Sequence, residues 1–174
     1  MAEGPSKSHG RLSIAPSAAP RDLMADRPAV AGVWTAQVIT LFPEVFPGVL
    51  GASLLGKGLD KGLWRLDPID LKLFGEGKHR KVDDTPAGGG AGLVLRPDIV
   101  GKAVRFAQGK ARLPLVYLSP RGARFDQAMA RRWAEAPGVC MIAGRFEGLD
   151  QRVIDQFGIE EVSLGAFVMT GGEI

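Results

Sequence analysis

Residues 113–163 decide the fold, and they read LPLVYLSPRGARFDQAMARRWAEAPGVCMIAGRFEGLDQRVIDQFGIEEVS. The apolar runs at 113–118 and 139–143 have the length of short buried strands. Each run is followed by a stretch in which apolar residues recur every four positions, as on one face of a helix. These stripes are Phe125, Met129 and Trp133, then Leu149, Val153 and Phe157. Strands that alternate with helices predict an α/β domain with a mostly parallel sheet flanked by helices.

The alternation continues on both sides of this segment. Pro97 predicts the start of a helix, because proline fits the first helical turn, and Gly109 predicts its end. The further predicted elements are a strand at 33–41, a partly helical segment at 45–59, an extended run at 63–74 broken at Asp67-Pro68, a polar glycine-rich loop at 75–92, and short extended pieces at 162–163 and 167–170.

The composition predicts one domain preceded by a tail. With 45% apolar and 24% charged residues in 174, the chain can bury one core, which we place at 33–174. Eighteen of residues 1–32 are Ala, Pro, Ser or Gly, which predicts a flexible tail. A cleaved organelle-targeting peptide is the alternative, although such peptides rarely contain acidic residues, and three occur here.

Charge and cysteine content indicate which partners and which cellular compartment suit the protein. The net charge of +3 suits a polyanionic partner, and it suits an ordinary slightly basic surface equally well. Cys140 is the single cysteine, so no internal disulfide can form and a reducing compartment is expected. No run of about 18 apolar residues occurs, and no signal-peptide core follows Met1. We therefore expect a cytoplasmic protein that does not enter a membrane.

Two glycine-rich segments fail as known phosphate-binding motifs. Residues 51–58, GASLLGKG, carry glycine at 58 where a P-loop needs Ser or Thr to hold magnesium. Residues 88–92, GGGAG, lack the third glycine of the dinucleotide fingerprint and open no helix. The second segment predicts either close approach to a ligand or neighbouring chain, or a flexible surface loop.

Three other glycine-bearing segments follow predicted strands, at 119–122, 144–148 and 165–172. In parallel sheets, ligands bind at the carboxyl ends of the strands. Glycine would let the main chain approach such a ligand closely, and a plain turn is the alternative for any single glycine. The convergence of all three segments favours a ligand site.

Four motifs then occur in order: DDTPAGGGAG at 83–92, YLSPRG at 117–122, GRFEGLD at 144–150 and SLGAFVMTGGE at 163–173. Together they closely resemble the bacterial tRNA (guanine-N1)-methyltransferase family, over about 33–174. The resemblance implies a C-terminal trefoil knot of the SPOUT-like RNA methyltransferases, although ordinary connection rules disfavour knots. It also implies a homodimer, S-adenosylmethionine bound within the knot, and a magnesium requirement. The substrate that it implies is tRNA, methylated at N1 of the guanosine 3′ of the anticodon.

The resemblance assigns roles to individual residues. Glu147 matches the family's glutamate beside the cofactor and the reacting centre, where a carboxylate can act on the N1 proton. The residues that it places at the cofactor are Tyr117, Leu118, Ser119, Pro120, Gly122, Gly144, Gly148, Leu164, Gly165, Ala166, Phe167, Val168, Met169, Gly171 and Gly172. Asp83 and Asp84 have no further spaced acidic or histidine ligands, so no metal site is predicted.

Several side chains keep two interpretations. Glu147 could instead cap a helix that starts near Gly148, where an acidic residue is favoured. Arg145 could contact an RNA phosphate or pair with an acid. The basic cluster at 79–81 could bind RNA phosphates or form solvated surface.

The chain departs from the family's pattern in three ways. Phe146 stands where tyrosine is usual, and Ala166 stands where aspartate is usual, which removes a carboxylate from the cofactor loop. The family also continues well past the Gly-Gly-Glu motif into a tRNA-binding domain that includes its proposed general base. We therefore expect a truncated form with weakened cofactor binding and little methyl transfer. The alternatives are another knotted RNA methyltransferase, or a non-catalytic RNA-binding or assembly module of this fold.

Overall fold

The computed structural model describes residues 32–173. Apart from Gly32, the predicted tail at 1–32 lies outside the described residues, as does Ile174. Along the chain the strands are β1 (Trp34–Thr40), β2 (Trp64–Asp70), β3 (Asp83–Asp84), β4 (Val94–Leu95), β5 (Leu115–Arg124), β6 (Gly138–Ile142) and β7 (Glu160–Ser163). The helices are α1 (Ser53–Asp60), α2 (Pro97–Lys110), α3 (Gln127–Glu135) and α4 (Gln151–Phe157), with 3-10 turns at Pro43–Val45, Gly48–Gly51 and Leu71–Phe74.

A five-stranded sheet in the order β2-β1-β6-β5-β7 forms the centre of the fold, and every neighbouring pair in it is parallel. The short strands β3 and β4 pair separately as an antiparallel ribbon. The α/β class with a mostly parallel sheet flanked by helices is therefore confirmed. Because all five strands run the same way, their carboxyl ends lie along one edge of the sheet, where the loops predicted to bind a ligand begin.

Alternating residues of the strands supply cores on the two faces of the sheet. Ile39 of β1 belongs to the cluster that α2 and α4 cover, and it is completely buried. Its neighbour Val38 points to the opposite face, into the cluster that includes Leu59 of α1. On that same face, farther along the sheet, Met129 and Trp133 of α3 pack on Val116 and Val139. No helix among residues 32–173 is long and apolar enough to cross a membrane.

Three local predictions were wrong. The break predicted at Asp67-Pro68 does not occur, since Pro68 pairs with Val38 inside β2. An edge strand tolerates proline because its outer side needs no ladder hydrogen bond. The strand predicted to end before Ser119-Pro120 continues to Arg124, and the extended piece predicted at 167–170 forms no strand.

An irregularity in β5 creates the first loop at the carboxyl edge. Leu118 and Ala123 both pair with Val162 of β7, so residues 119–122 leave the ladder and rejoin it. A bulge of this kind bends a strand and redirects its side chains, and such bulges are frequent beside functional sites. The YLSPRG motif therefore projects from the sheet although it lies within the bounds of β5.

Candidate functional site

The loops that follow β6 and β7 and the bulge of β5 meet around a cavity of about 240 Å³. Its wall is formed by residues 117–120, 144–148, 162–165 and 167–171. These segments come from three separate parts of the chain, and the parallel sheet brings them to one edge. The ligand site predicted at the carboxyl ends of the strands thus has a cavity at that position.

Most residues that the sequence assigned to the cofactor lie on this wall, and so does Glu147. The predicted residues on the wall are Tyr117, Leu118, Ser119, Pro120, Gly144, Gly148, Leu164, Gly165, Phe167, Val168, Met169 and Gly171. Gly122, Ala166 and Gly172 do not line the cavity. The sequence also missed wall residues, among them Phe146, Val162, Ser163 and Thr170, which lie within or beside the quoted motifs.

The two glycines off the wall have packing partners inside the protein. A Cβ atom at Gly122 would lie 2.3 Å from the backbone nitrogen of Val162, so glycine here lets β5 pass close to β7. A Cβ atom at Gly172 would lie 2.8 Å from Cδ1 of Leu118. Both glycines are therefore explained by contacts of the chain with itself rather than by approach to a ligand.

Tyr117 gives a similar reason for two glycines on the wall. A Cβ atom at Gly144 would be 2.6 Å from the Tyr117 ring, and one at Gly148 would be 2.5 Å from its hydroxyl oxygen. The ring is 7% exposed, and burial raises the pKa of Tyr117 above its ordinary value, with the backbone of Leu149 acting in the opposite direction. A neutral phenol thus braces the loop that carries Glu147.

Glu147 and Gly148 are held by backbone hydrogen bonds to Leu93 and Leu95, which follow the glycine-rich segment at 88–92. The amide of Glu147 donates to the carbonyl of Leu93 at 2.8 Å, and the amide of Leu95 donates to the carbonyl of Gly148 at 2.9 Å. The Glu147 side chain lies directly against Gly92, where a Cβ atom would be 2.5 Å from its Cγ. No pattern in the sequence indicates this contact, which joins residues 55 positions apart.

The alternative role of Glu147 as a helix cap is wrong. Helix α4 begins at Gln151, and the side chain of Asp150 accepts a hydrogen bond from the amide of Arg152 at 2.9 Å. Asp150 also pairs with the guanidinium of Arg152, which holds the pKa of that carboxyl below its usual range. The cap is therefore Asp150, and Glu147 remains on the cavity wall.

Arg145 pairs with an acid inside the protein, which decides between its two interpretations. Its guanidinium donates to both carboxylate oxygens of Glu173, at 3.3 Å and 3.1 Å, and Glu173 also accepts from the hydroxyl of Thr40 at 3.0 Å. The Glu173 side chain is only 2% exposed. Gly171 lies beneath this pair, since a Cβ atom there would be 2.8 Å from Nε of Arg145. The pair fixes the last loop to the end of β1.

The charge of the cavity wall follows from that pairing. Arg145 and Glu147 are the wall's two charged residues, and Arg145 is neutralised by Glu173. Glu147 forms no ion pair within the described part of the chain. The wall therefore carries one uncompensated negative charge, which favours a ligand with a positive centre.

Among residues 32–173, no group of three or more His, Cys, Asp or Glu side chains is arranged to hold a metal ion. The adjacent Asp83 and Asp84 lie on the antiparallel ribbon, where Asp84 pairs with Lys81 at 3.3 Å. A magnesium requirement remains an implication of the resemblance.

The amino-acid sequence is similar to a known family over most of its length. The family model described as tRNA (Guanine-1)-methyltransferase TrmD matches residues 34–174. Proteins named tRNA (guanine-N(1)-)-methyltransferase from Jannaschia sp. (strain CCS1) and Ruegeria sp. (strain TM1040) are each 60% identical, over 156 and 153 residues and 87% of this chain. One from Cereibacter sphaeroides (strain KD131 / KCTC 12085) is 62% identical over 82% of this chain and 59% of its own length. The chain spans 63% of the Jannaschia and Ruegeria proteins.

Proposed function

The chain belongs to the tRNA (guanine-1)-methyltransferase family, and we propose that it takes part in transferring a methyl group from S-adenosylmethionine to N1 of the guanosine 3′ of the anticodon in tRNA. The observation that carries the proposal is the cavity at the carboxyl edge, with Glu147 as its uncompensated charge. A cytoplasmic location follows from tRNA as the substrate.

The cavity wall fits S-adenosylmethionine chemically. Apolar side chains such as Leu118 and Leu164 offer contact to the adenine ring, while the hydroxyls of Ser119 and Ser163 and the loop backbone offer polar partners. The single negative charge of Glu147 suits the positively charged sulfur. When bound, S-adenosylmethionine supplies an electrophilic methyl group.

Glu147 then acts on the guanine. N1 of guanine carries a proton, and the lone pair of this nitrogen becomes available only as that proton is withdrawn. The carboxylate of Glu147 would accept a hydrogen bond from this N–H and take its proton as the bond between N1 and the methyl group forms and the bond between the methyl group and sulfur breaks. Phe146, which is 51% exposed on the same loop, offers a ring face on which a flipped-out base can stack.

The two substitutions relative to the family pattern affect the proposal differently. Phe146 lacks a tyrosine hydroxyl and keeps the stacking surface. Ala166 lies between the wall residues Gly165 and Phe167 and does not itself line the cavity. We therefore propose that cofactor binding is retained with alanine at this position.

A trefoil knot and a homodimer are parts of the same proposal. The contacts of Glu173 with Thr40 and Arg145, which bring the last loop from β7 back to the end of β1, support the proposal of a knot. On the rim of the cavity, Leu164, Phe167 and Val168 are 47%, 56% and 84% exposed. An apolar rim of this kind is suited to cover by a second copy. Sedimentation analysis over a range of protein concentrations measures that association.

The test separates binding from chemistry. Calorimetric titration with S-adenosylhomocysteine should show binding to the chain and to the matched variant Glu147→Gln, because glutamine keeps the shape of the side chain and removes only its charge. Methyl transfer to a tRNA transcript, read as 1-methylguanosine by mass spectrometry of its nucleosides, should fall by at least 10²-fold in Glu147→Gln.

Two outcomes would contradict the proposal. A folded wild-type chain that releases no heat with S-adenosylhomocysteine would remove the cofactor site. A methyl group found on a ribose hydroxyl or on another base would assign the chain to a different RNA methyltransferase activity.

A further inference from the structure

A short basic hairpin follows β2 at the carboxyl edge of the sheet. The 3-10 turn Leu71–Phe74 leads from β2 into residues 76–81, in which Glu76 and Lys81 pair as an antiparallel bridge. The turn of this hairpin consists of Gly77, Lys78, His79 and Arg80, all exposed. The function proposed above assigns no role to these side chains.

The hairpin is held in one conformation by its backbone. The amide of Lys81 donates to the carbonyl of Glu76 at 3.0 Å, and the amide of Arg80 donates to the carbonyl of Gly77 at 3.2 Å. Gly75 packs so closely on Arg80 that a Cβ atom would lie 2.4 Å from its carbonyl oxygen. Arg80 has a φ of 49°, a left-handed conformation that costs a non-glycine residue free energy. Its side chain is therefore presented from a fixed backbone.

The one acidic residue of the hairpin is turned away from its basic tip. Glu76 pairs with Arg96 at 2.9 Å and with Lys102 of α2 at 3.0 Å. Neither Lys78 nor Arg80 forms an ion pair within residues 32–173. The tip therefore presents two uncompensated positive charges to solvent, while its anchoring carboxylate is already neutralised.

Two sets of contacts connect the hairpin to the loop that carries Glu147. The Phe42 ring contacts both the ammonium group of Lys72, in the 3-10 turn that leads into the hairpin, at 5.1 Å from the ring centre and the guanidinium of Arg145 at 4.5 Å. At the base of the hairpin, the carbonyl of Val82 accepts from Arg96 at 2.9 Å, and the adjoining residue Leu95 bonds to Gly148. The cationic tip and the cavity therefore belong to the same edge of the sheet and are joined by short connections.

We propose that the Lys78–Arg80 turn binds the sugar-phosphate backbone of the RNA whose guanosine enters the cavity. The inference rests on the proposed function, because it takes the ligand of the neighbouring cavity to be a nucleotide of an RNA chain. Lysine and arginine bind phosphates largely without regard to sequence. A rigid turn loses little conformational entropy when it does so. In this proposal the turn positions the RNA backbone, and the cavity selects the base.

The test compares two double variants that each remove two positive charges. Lys78→Gln with Arg80→Gln removes the charges of the turn. Lys61→Gln with Arg112→Gln removes two exposed charges from the segments that lead into β2 and β5, at the opposite edge of the sheet. Binding of a tRNA transcript is measured by fluorescence anisotropy between 0.05 and 0.3 M salt, with S-adenosylhomocysteine present. Circular dichroism and thermal unfolding establish that both variants are folded.

Loss of two phosphate contacts should reduce the slope of log K against log salt by roughly 1.4 to 1.8, and weaken binding at about 0.15 M salt on the order of tenfold. The control variant should keep the wild-type slope. Equal slopes for the two variants, or no tRNA binding by the wild-type chain even at the lowest salt, would overturn the inference. The affinity for S-adenosylhomocysteine is measured in the same samples. It tests the cofactor site, so the proposed function can hold even if the turn proves not to bind RNA.

Discussion

Replacement of Gly92 by alanine tests whether the glycine-rich segment positions Glu147. A Cβ atom at residue 92 would lie 2.5 Å from Cγ, 2.9 Å from Oε1 and 3.1 Å from Cδ of Glu147. Ordinary contact begins near 3.4 Å, so the carboxylate must retreat by about 1 Å. A misplacement of about 1 Å at a reacting group costs on the order of 10²-fold in rate.

Gly89 provides a control with the same backbone cost. Gly89 and Gly92 have φ values of 86° and 83°, so alanine at either position incurs about 1–2 kcal/mol of left-handed strain. A Cβ atom at Gly89 meets nothing within 4 Å. The difference between the two variants therefore isolates the contact with Glu147 from the strain in the loop.

The assay is single-turnover methyl transfer to a tRNA transcript, together with hydrogen exchange of the Glu147 amide. Gly92→Ala should lower the transfer rate about 10²-fold relative to Gly89→Ala while S-adenosylhomocysteine affinity stays within about threefold. It should also speed exchange of the amide that donates to Leu93, a readout that does not depend on turnover. Equal rates and equal exchange in the two variants would refute the reasoning.

Two further predictions concern the buried groups near the sheet. Glu173→Gln removes the charge that Arg145 meets at 3.1 Å, so it should lower the free energy of unfolding by about 1–3 kcal/mol. It should also weaken S-adenosylhomocysteine binding, because the last loop is held less firmly. An unchanged calorimetric affinity would disprove the link between this ion pair and cofactor binding. Burial raises the pKa of the Cys140 thiol from 9.0 to about 12, so the neutral thiol stabilises the fold below pH 9 and this contribution is lost as the pH rises towards 12. Cys140 should resist alkylation at pH 8 in the folded protein and react after denaturation; rapid labelling of the native chain would contradict this.

The order of strands and helices could be read from the sequence because hydrophobic spacing is local. Helix α2 begins at Pro97, as predicted, and ends at Lys110, one residue past the predicted stop at Gly109. The break predicted at Pro68 was wrong because the effect of proline depends on whether the strand lies at an edge, which only the strand order shows. The local sequence thus predicts that a segment forms a strand, but not where in the sheet that strand lies.

The site was predictable in outline for a related reason. Segments that follow parallel strands must meet at one edge, so the residues of YLSPRG and GRFEGLD could be placed together before their contacts were known. The partners of individual side chains could not. Arg145 meets Glu173, and Glu147 meets Gly92, across 28 and 55 positions. Neither pair has a sequence signature, because each depends on how two loops cross.

The contacts of Arg145 and Glu147 explain how one loop can carry both a positive and a negative side chain and still leave the cavity negatively charged. A cationic cofactor requires a negative wall, whereas an RNA backbone requires positive surface. If Arg145 were free, it would cancel the charge of Glu147 inside the cavity. Its pairing with the buried carboxylate of Glu173 removes that effect, and Lys78 and Arg80 place uncompensated positive charge outside the cavity, at the same edge of the sheet. The Arg145–Glu173 pair thereby separates a negative cavity from a positive approach to it, so its loss should weaken binding of the positively charged S-adenosylmethionine even where the fold survives.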